Sequence, residues 1–445
     1  MDSTDKTAQQ AGASPVAPGV NARGPSRRWL RIIPIALIMY TISFVNRTSI
    51  SLALPSLSRD LHLLPQQAGM VAGIFFWGYL ALQIPGGHLA EHWSAKKWIA
   101  ICLVAWGLCA AACGIVRSYH ELLLFRLLLG VAESGVWPAT LVLLSHWFSR
   151  AERARANAFW MLCLPGAVVF SSPVAGWMLD RWNWRVMFIA TGALPFIWLP
   201  IWLLFIRDYP AQASWLPAGE RASVTATLRQ ESEQLEEGNK IPYLRALLRP
   251  QTFLLTAVYF CFVGGQMGML FWLPTAMEKL RKLNSLTTGI LYVLPFLFGA
   301  LCLVLISRHS DKVRERRLHV AGSMMIGGTC LLLAVATISY SLLLAFVFII
   351  LSGFSAFGPM GAFWAIPTET LPSRVAGSVM GLVNAFGNLG GFFAPLAVGY
   401  LNAKTGNFLA GFAYLGALTV LGGALALFLR TAPDLPRLQA KEVKS

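Results

Sequence analysis

Glu121–Phe148 reads ELLLFRLLLGVAESGVWPATLVLLSHWF, an apolar run interrupted internally by two charges, Arg126 and Glu133. The run exceeds the roughly 20 residues that a helix needs to cross a bilayer. A separation of seven residues is about two helical turns, so the two charges share one face. A charge in hydrocarbon costs at least ~2.5 kcal/mol, and that face is expected to turn toward protein or a watered cavity. Gly130, Gly135 and Pro138 are interleaved with the charges, where a neighbour can approach closely or the helix can bend. A buried ion pair that fastens helices together is one reading. An ion or substrate pathway is the default for an intramembrane charge.

The rest of the chain is of the same kind. Of its 445 residues 56% are hydrophobic and 13% charged, against about 25% charged in soluble proteins. Apolar runs recur at 30–54, 67–89, 98–116, 122–146, 157–178, 186–206, 252–275, 287–306, 318–338, 342–366, 377–400 and 409–429. They predict an all-α membrane protein of roughly twelve spans. An even number places both termini on one side. The net charge of +16 is not a nucleic-acid signature here, because the basic residues fill the gaps between apolar runs. Arg27, Arg28 and Arg31, Lys96 and Lys97, Arg150, Arg153 and Arg155, and Arg314, Arg316 and Arg317 all fall on the side of the termini. The positive-inside rule makes that side cytoplasmic.

Several classes are disfavoured. The seven cysteines lie in apolar runs with no CxxC or Cys/His cluster, so no metal or other cofactor is expected. No nucleophile–base pair or Gly-rich nucleotide loop marks an enzyme or an ATP-driven machine. Residues 1–27 contain no apolar h-region and read as a disordered cytoplasmic tail rather than a signal peptide.

Arg207 to Pro250 is the longest polar gap. It divides the chain into a six-helix bundle over 28–206, a cytoplasmic linker over 207–250 with a short surface helix, a second bundle over 251–430 and a tail over 431–445. The bundles repeat each other. Gly87-His-Leu-Ala-Glu91 precedes Lys96-Lys97, and Ser307-Arg-His-Ser-Asp311 precedes Arg316-Arg317 at the matching loop. Asn157-Ala-Phe159 with Pro173 and Gly176 is echoed by Asn384-Ala-Phe386 with Pro395 and Gly399. Two pseudo-symmetric halves with a site between them at the midplane are a transporter architecture.

GGHLAEHWSAKKW, between the second and third spans, resembles the signature loop of the major facilitator superfamily. Glu91 stands for the usual Asp, while His92 and Ser94 depart from the usual Arg and Gly. FVNRTSISLALPSL, GYLALQIPGG, FRLLLGVAESGVWPA, RARANAFWMLCLP and GLVNAFGNLGGFFAPLAVGYL resemble the anion:cation symporter branch, over about residues 28 to 430. That branch includes proton-coupled permeases for tartrate, galactonate, phthalate and hydroxyphenylacetate. The resemblance implies that Arg47 meets the substrate carboxylate and that Tyr79 lines the cavity. Glu133 would load and release the proton, Arg126 would pair with it when it is ionised, and Trp364 and Asn384 would face the cavity from the second half. Gly87, Glu91, Lys96, Lys97, Asp311, Arg316 and Arg317 would form the gating loops. Asn46 stands where the branch usually has Asp, which leaves Glu133 to carry coupling alone or the chain uncoupled.

The residues support a similar chemistry by themselves. A carboxylate needs a cation in a low-dielectric cavity, and the planar fork of arginine suits it. Arg47 and Arg126 are the basic residues deep within spans, both in the first half. Burial and a nearby guanidinium would act on the Glu133 proton in opposite senses, so proton uptake could follow the opening of the cavity. The abundant aromatic residues read first as packing, and Glu369 at the mouth receives no role. The expectation is proton-coupled uptake of an organic anion (a sugar, hydroxy or aromatic acid) by a monomer in the cell inner membrane. The partners would be the anion, protons and the lipid bilayer. Proton-antiport export, an uncoupled uniporter or exchanger, and a non-transporting solute sensor are the alternatives.

Overall fold

The computed structural model describes residues 26–236, 249–281, 284–370 and 373–431. The expected tails therefore lie outside the described residues, apart from Ser26, Arg27 and Thr431, as does residue range 237–248 of the linker. Among the described residues there is no strand. Eleven helices are long and apolar enough to cross a membrane. In the first half they are Arg27–Asp60 (span 1), Gln83–Ala112, Tyr119–Trp147 (span 4), Arg155–Arg181 (span 5) and Trp184–Phe205 (span 6). In the second they are Pro250–Lys279 (span 7), Ser285–Val313 (span 8), Arg317–Thr337 (span 9), Leu342–Thr370 (span 10), Val379–Thr405 (span 11) and Leu409–Ala426 (span 12).

The count falls below twelve because the expected second span is broken at Leu82, and its last stretch, from Gln83, runs on into the third. The second span comprises Pro65–Gly73, Phe75–Ala81 and Gln83–Leu89 in succession, together span 2 here. One break follows from chemistry at Leu82, whose N–H donates to Ser134 Oγ at 3.1 Å instead of continuing the ladder. Pro85, which has no N–H to give, follows three residues later. The chain then turns through Ala90–Ser94 into Ala95–Ala112 (span 3). Ser94 has an extended backbone, and its hydroxyl accepts from Lys97 N, capping the new helix.

Span 2 packs on span 4 so tightly that a Cβ on Gly130 would lie 2.0 Å from Phe75 O. Any side chain at Gly130 would force the two helices apart. Between the halves, span 2 packs on span 11 and span 5 on span 8. The close approaches lie toward one face. Gly69 meets Pro395, and Gly176 meets Ser285, with backbone inside ordinary contact distance of a would-be Cβ. On the opposite face a helix at Ala218–Glu236 belongs to the linker, and that side is called the linker face below. It is docked by Arg28, which bonds Glu152 and lies 3.5 Å from Glu220, and by Arg153, 4.0 Å from Glu231.

Candidate functional site

Span 1 brings Arg47 to the middle of the first half. The run Thr48-Ser49 turns its hydroxyls back on the helix, to Phe44 O at 2.7 Å and Val45 O at 2.5 Å. Such back-bonding locally loosens and bends a helix. Arg47 Nη2 and Nε donate to Glu133 Oε2 at 3.2 and 3.4 Å, and Ser43 Oγ donates to the same oxygen at 2.9 Å. Both ion-pair side chains are buried, 5% and 0% exposed. Aromatic rings surround the guanidinium: Tyr79 at 4.5 Å, Phe75 at 4.9 Å and Phe44 at 5.6 Å from its carbon. Those ring faces favour a cation by cation–π attraction and exclude water. Tyr40 OH lies 3.4 Å from both Arg47 Nη2 and Tyr79 OH. Glu133 Oε1 is buried without a hydrogen-bond partner.

Arg126 takes a place other than the expected one. It does not pair with Glu133. Its Nε and Nη2 donate to Val71 O at 3.4 Å and Arg47 O at 3.3 Å, and Nη1 is buried without a partner. Seven residues separate the two charges by about 10.5 Å along the axis, and Gly130 between them admits span 2. The Phe75 ring carried by span 2 lies against both guanidiniums, 5.5 Å from that of Arg126. Span 1 supplies the nearer cation, so Arg47 holds the carboxylate and Arg126 holds the backbone of Arg47.

The second half meets this site through amides and aromatics. Asn384 Nδ2 donates to Gln83 Oε1 at 3.2 Å, while its Oδ1 accepts from Asn388 Nδ2 at 3.0 Å and Tyr259 OH at 3.4 Å. Spans 2, 7 and 11 are thereby joined. The Trp364 ring lies 5.0 Å from that of Tyr259, and its Nε1 is buried without a partner. On the first-half side, Tyr40, Trp137 and Trp160 form a wall with centroid separations of 4.5 to 5.3 Å. The structure thus brings Arg47, Tyr79 and Glu133 together, with Asn384 and Trp364 joined to each other through Tyr259. Asn46 lies beside Arg47, 1% exposed, with both amide atoms buried and unpaired.

The loops expected to gate are built differently in the two halves. In the first, Asp208 at the end of span 6 accepts from Ser94 Oγ at 2.7 Å and Lys96 N at 2.9 Å. Gly87 packs against Pro138, Lys97 lies over Trp93, and Glu91 is exposed. In the second, Arg316 donates to Asp311 at 2.5 Å and to Glu369 at 2.8 and 3.1 Å, joining the ends of spans 8, 9 and 10. Burial tends to hold that guanidinium's proton less firmly, but the hydrogen bonds and charges of Glu369 and Asp311 prevail and push its pKa above the ordinary value. Arg317 begins span 9.

Sequence reasoning passed over Ser43, Tyr40, Gln83 and Asp208, and placed Glu369 at the mouth without a role. Ser43 lies four residues before Arg47 and Gln83 four after Tyr79, each one turn away on the same face, so periodicity held their signal. Asp208 and Glu369 carried none, because their partners are distant in sequence.

Comparison with known proteins agrees with this architecture. The Major Facilitator Superfamily profile matches residues 36–395. An Agrobacterium vitis protein provisionally named a tartrate transporter is 31% identical over 413 residues, covering 91% of this chain and 94% of that one. A protein of Acinetobacter baumannii named a quinolone resistance transporter is 27% identical, covering 93% and 96%. Among solved structures, a bacterial homologue of the human lysosomal transporter Spinster, inward-facing and unoccupied, superposes with a TM-score of 0.74. It is 16% identical and covers 91% of this chain and 98% of its own, a likeness of fold.

Proposed function

We propose that this chain, which belongs to the major facilitator superfamily, is a secondary transporter that takes up a small organic anion together with a proton. The observation that carries the reading is the buried Arg47–Glu133 pair, an arginine fork inside a membrane protein held by one oxygen of a single carboxylate. A substrate carboxylate reaching Arg47 competes with Glu133 for the same donors. Once displaced, Glu133 is a buried carboxylate without its cation, and taking up a proton removes the cost of that charge. Anion and proton thus enter together, and neither form leaves an unpaired charge in the cavity. Alternating access follows from rocking of the halves about contacts of spans 2 and 5 with spans 11 and 8. The linker face is cytoplasmic in this reading, and the monomer in the bacterial inner membrane is the working unit.

The relative named for tartrate supports a carboxylate, with sugar, hydroxy and aromatic acids as the range to test. Arg126 serves by positioning the backbone of Arg47. A second reading, proton-antiport export, is favoured by the relative named for quinolone resistance. Purified protein in liposomes, offered a panel of these acids with and without an inward proton gradient, separates the readings. Gradient-stimulated uptake of one acid class is expected. Uptake indifferent to the gradient would leave a uniporter or exchanger, and no acid uptake would move the assignment to export.

A further inference from the structure

Gln83 is 5% exposed and sits one helical turn beyond Tyr79, toward the linker face. The orientation of its amide is fixed by a chain of donors. Asn388 Nδ2 donates to both Asn384 O at 2.6 Å and Asn384 Oδ1 at 3.0 Å, so the Oδ1 of Asn384 faces Asn388. Tyr259 OH donates to that same oxygen. Asn384 therefore offers its Nδ2 to Gln83, which must answer with Oε1 at 3.2 Å. What remains is Gln83 Nε2, a buried donor with no partner. An amide N–H left unpaired in such a place is destabilising, so a bound group that accepts from it is favoured.

We propose that Gln83 reads a hydroxyl of the transported acid, so that the substrate is a hydroxylated carboxylate rather than a plain aliphatic or aromatic one. The inference rests on the reading of Arg47 as the carboxylate anchor. One turn of helix is about 5.4 Å, and the Tyr79 ring lies against Arg47. In this proposal a substrate anchored by its carboxylate on Arg47 extends along span 2 toward the linker face, which brings the carbons beyond the carboxylate toward Gln83. A hydroxyl there accepts from Nε2, whereas a methylene leaves the donor unpaired. Sites that hydrogen-bond a substrate hydroxyl reject the analogue lacking it far more strongly than apolar pockets sort by size. The same side chain bonds Asn384 of the second half, so reading the hydroxyl and drawing the halves together share one amide.

The test is equilibrium binding to full-length protein in nanodiscs, using pairs that differ only in hydroxyls: gluconate and hexanoate, tartrate and succinate, 4-hydroxybutyrate and butyrate. Wild type is expected to prefer the hydroxylated member of at least one pair by roughly tenfold or more. Gln83→Met, which keeps the volume and removes the amide, should bring that ratio to about 1. Gln83→Leu also removes the amide without adding a charge, and serves with the same expectation if the methionine variant does not fold. Equal binding within every pair by wild type, or a preference that survives both substitutions, overturns the inference while Arg47 keeps its role. Binding of no acid at all overturns the anion reading and this inference with it.

Discussion

Arg47 and Glu133 face each other at 3.2 Å across spans 1 and 4, both withdrawn from solvent, and each satisfies the other's charge. Removing either partner alone leaves an uncompensated charge, which costs about 3–5 kcal/mol in buried pairs. Arg47→Ala should therefore lower the melting temperature and abolish uptake together. Arg47→Lys retains charge but not the fork, and uptake should stay far below wild type. Glu133→Gln should separate the two functions: substrate still binds, and uptake no longer responds to a proton gradient. Gradient-stimulated uptake by Glu133→Gln at wild-type level would sink the coupling role.

Arg126 offers a contrasting case. Its donors end on the carbonyls of Val71 and Arg47, so it ties spans 1, 2 and 4 by backbone. Hydrogen bonds from a charged donor are worth about 1.5–3 kcal/mol each. Arg126→Met should lower the melting temperature clearly, and anion affinity should fall because Arg47 loses its support. A variant that melts like wild type yet binds no anion would instead make Arg126 a direct ligand.

These two arginines show what was legible in the sequence. Their placement inside apolar runs, and of Glu133 with them, could be read because membrane burial makes every internal charge conspicuous. The pairing could not. Residues 126 and 133 share a helix face by periodicity, but which cation reaches the carboxylate is set by how span 1 docks, through Ser43 and Arg47. Gly130 shows the same limit: the sequence announced close packing, and only the fold says that Phe75 is what approaches. Span 2 was legible as apolar but not as broken, since its break at Leu82 depends on Ser134 fifty-two residues away.

The second-half latch converges on Arg316, 12% exposed, between Asp311 and Glu369, whose side chains are 68% and 36% exposed. Pairs this open contribute about 1 kcal/mol or less to stability. Arg316→Ala should leave the melting temperature nearly unchanged. It should nevertheless alter the rate of exchange across the membrane, because the ends of spans 8, 9 and 10 are no longer tied. A large loss of stability without a change in rate would make the cluster purely structural.

Glu152 gives a pH dependence outside the spans. Burial alone would raise its pKa, but the hydrogen bond and charge of Arg28, with the Ser149 cap, outweigh that and hold it below the ordinary 4.5. A depressed folded pKa stabilises above the unfolded value and ceases to do so as pH falls through the folded one. Glu152→Gln should therefore melt earlier than wild type at pH 7. The gap should narrow once the pH drops below 4.5 and the wild-type carboxylate takes up its proton. A gap independent of pH would mean that Glu152 acts by packing.

On the face opposite the linker face, called the far face here, the halves are also held by a contact of a different kind, and it predicts a shift of conformation rather than of stability. Asp180, at the end of span 5, accepts from Ser285 N at 2.9 Å and Leu286 N at 3.0 Å, and so caps span 8 of the other half. A carboxylate there satisfies two orphan donors and meets the positive end of the helix dipole. Beside it lies a cavity of about 570 Å³ lined in part by Ser58, Arg59, Trp272, Thr275 and Glu278. Losing a cap costs about 1 kcal/mol, which is roughly a fivefold change in a two-state equilibrium. Because the cap spans the halves, that change falls on the closed far face. Asp180→Ala should raise the labelling rate of a cysteine placed at Ser58 by about that factor, in a background lacking the native cysteines. The substitution Asp180→Asn, which keeps one acceptor, should fall between. Labelling unchanged in both would show that the glycine contacts of spans 2 and 11 close this face without help from Asp180.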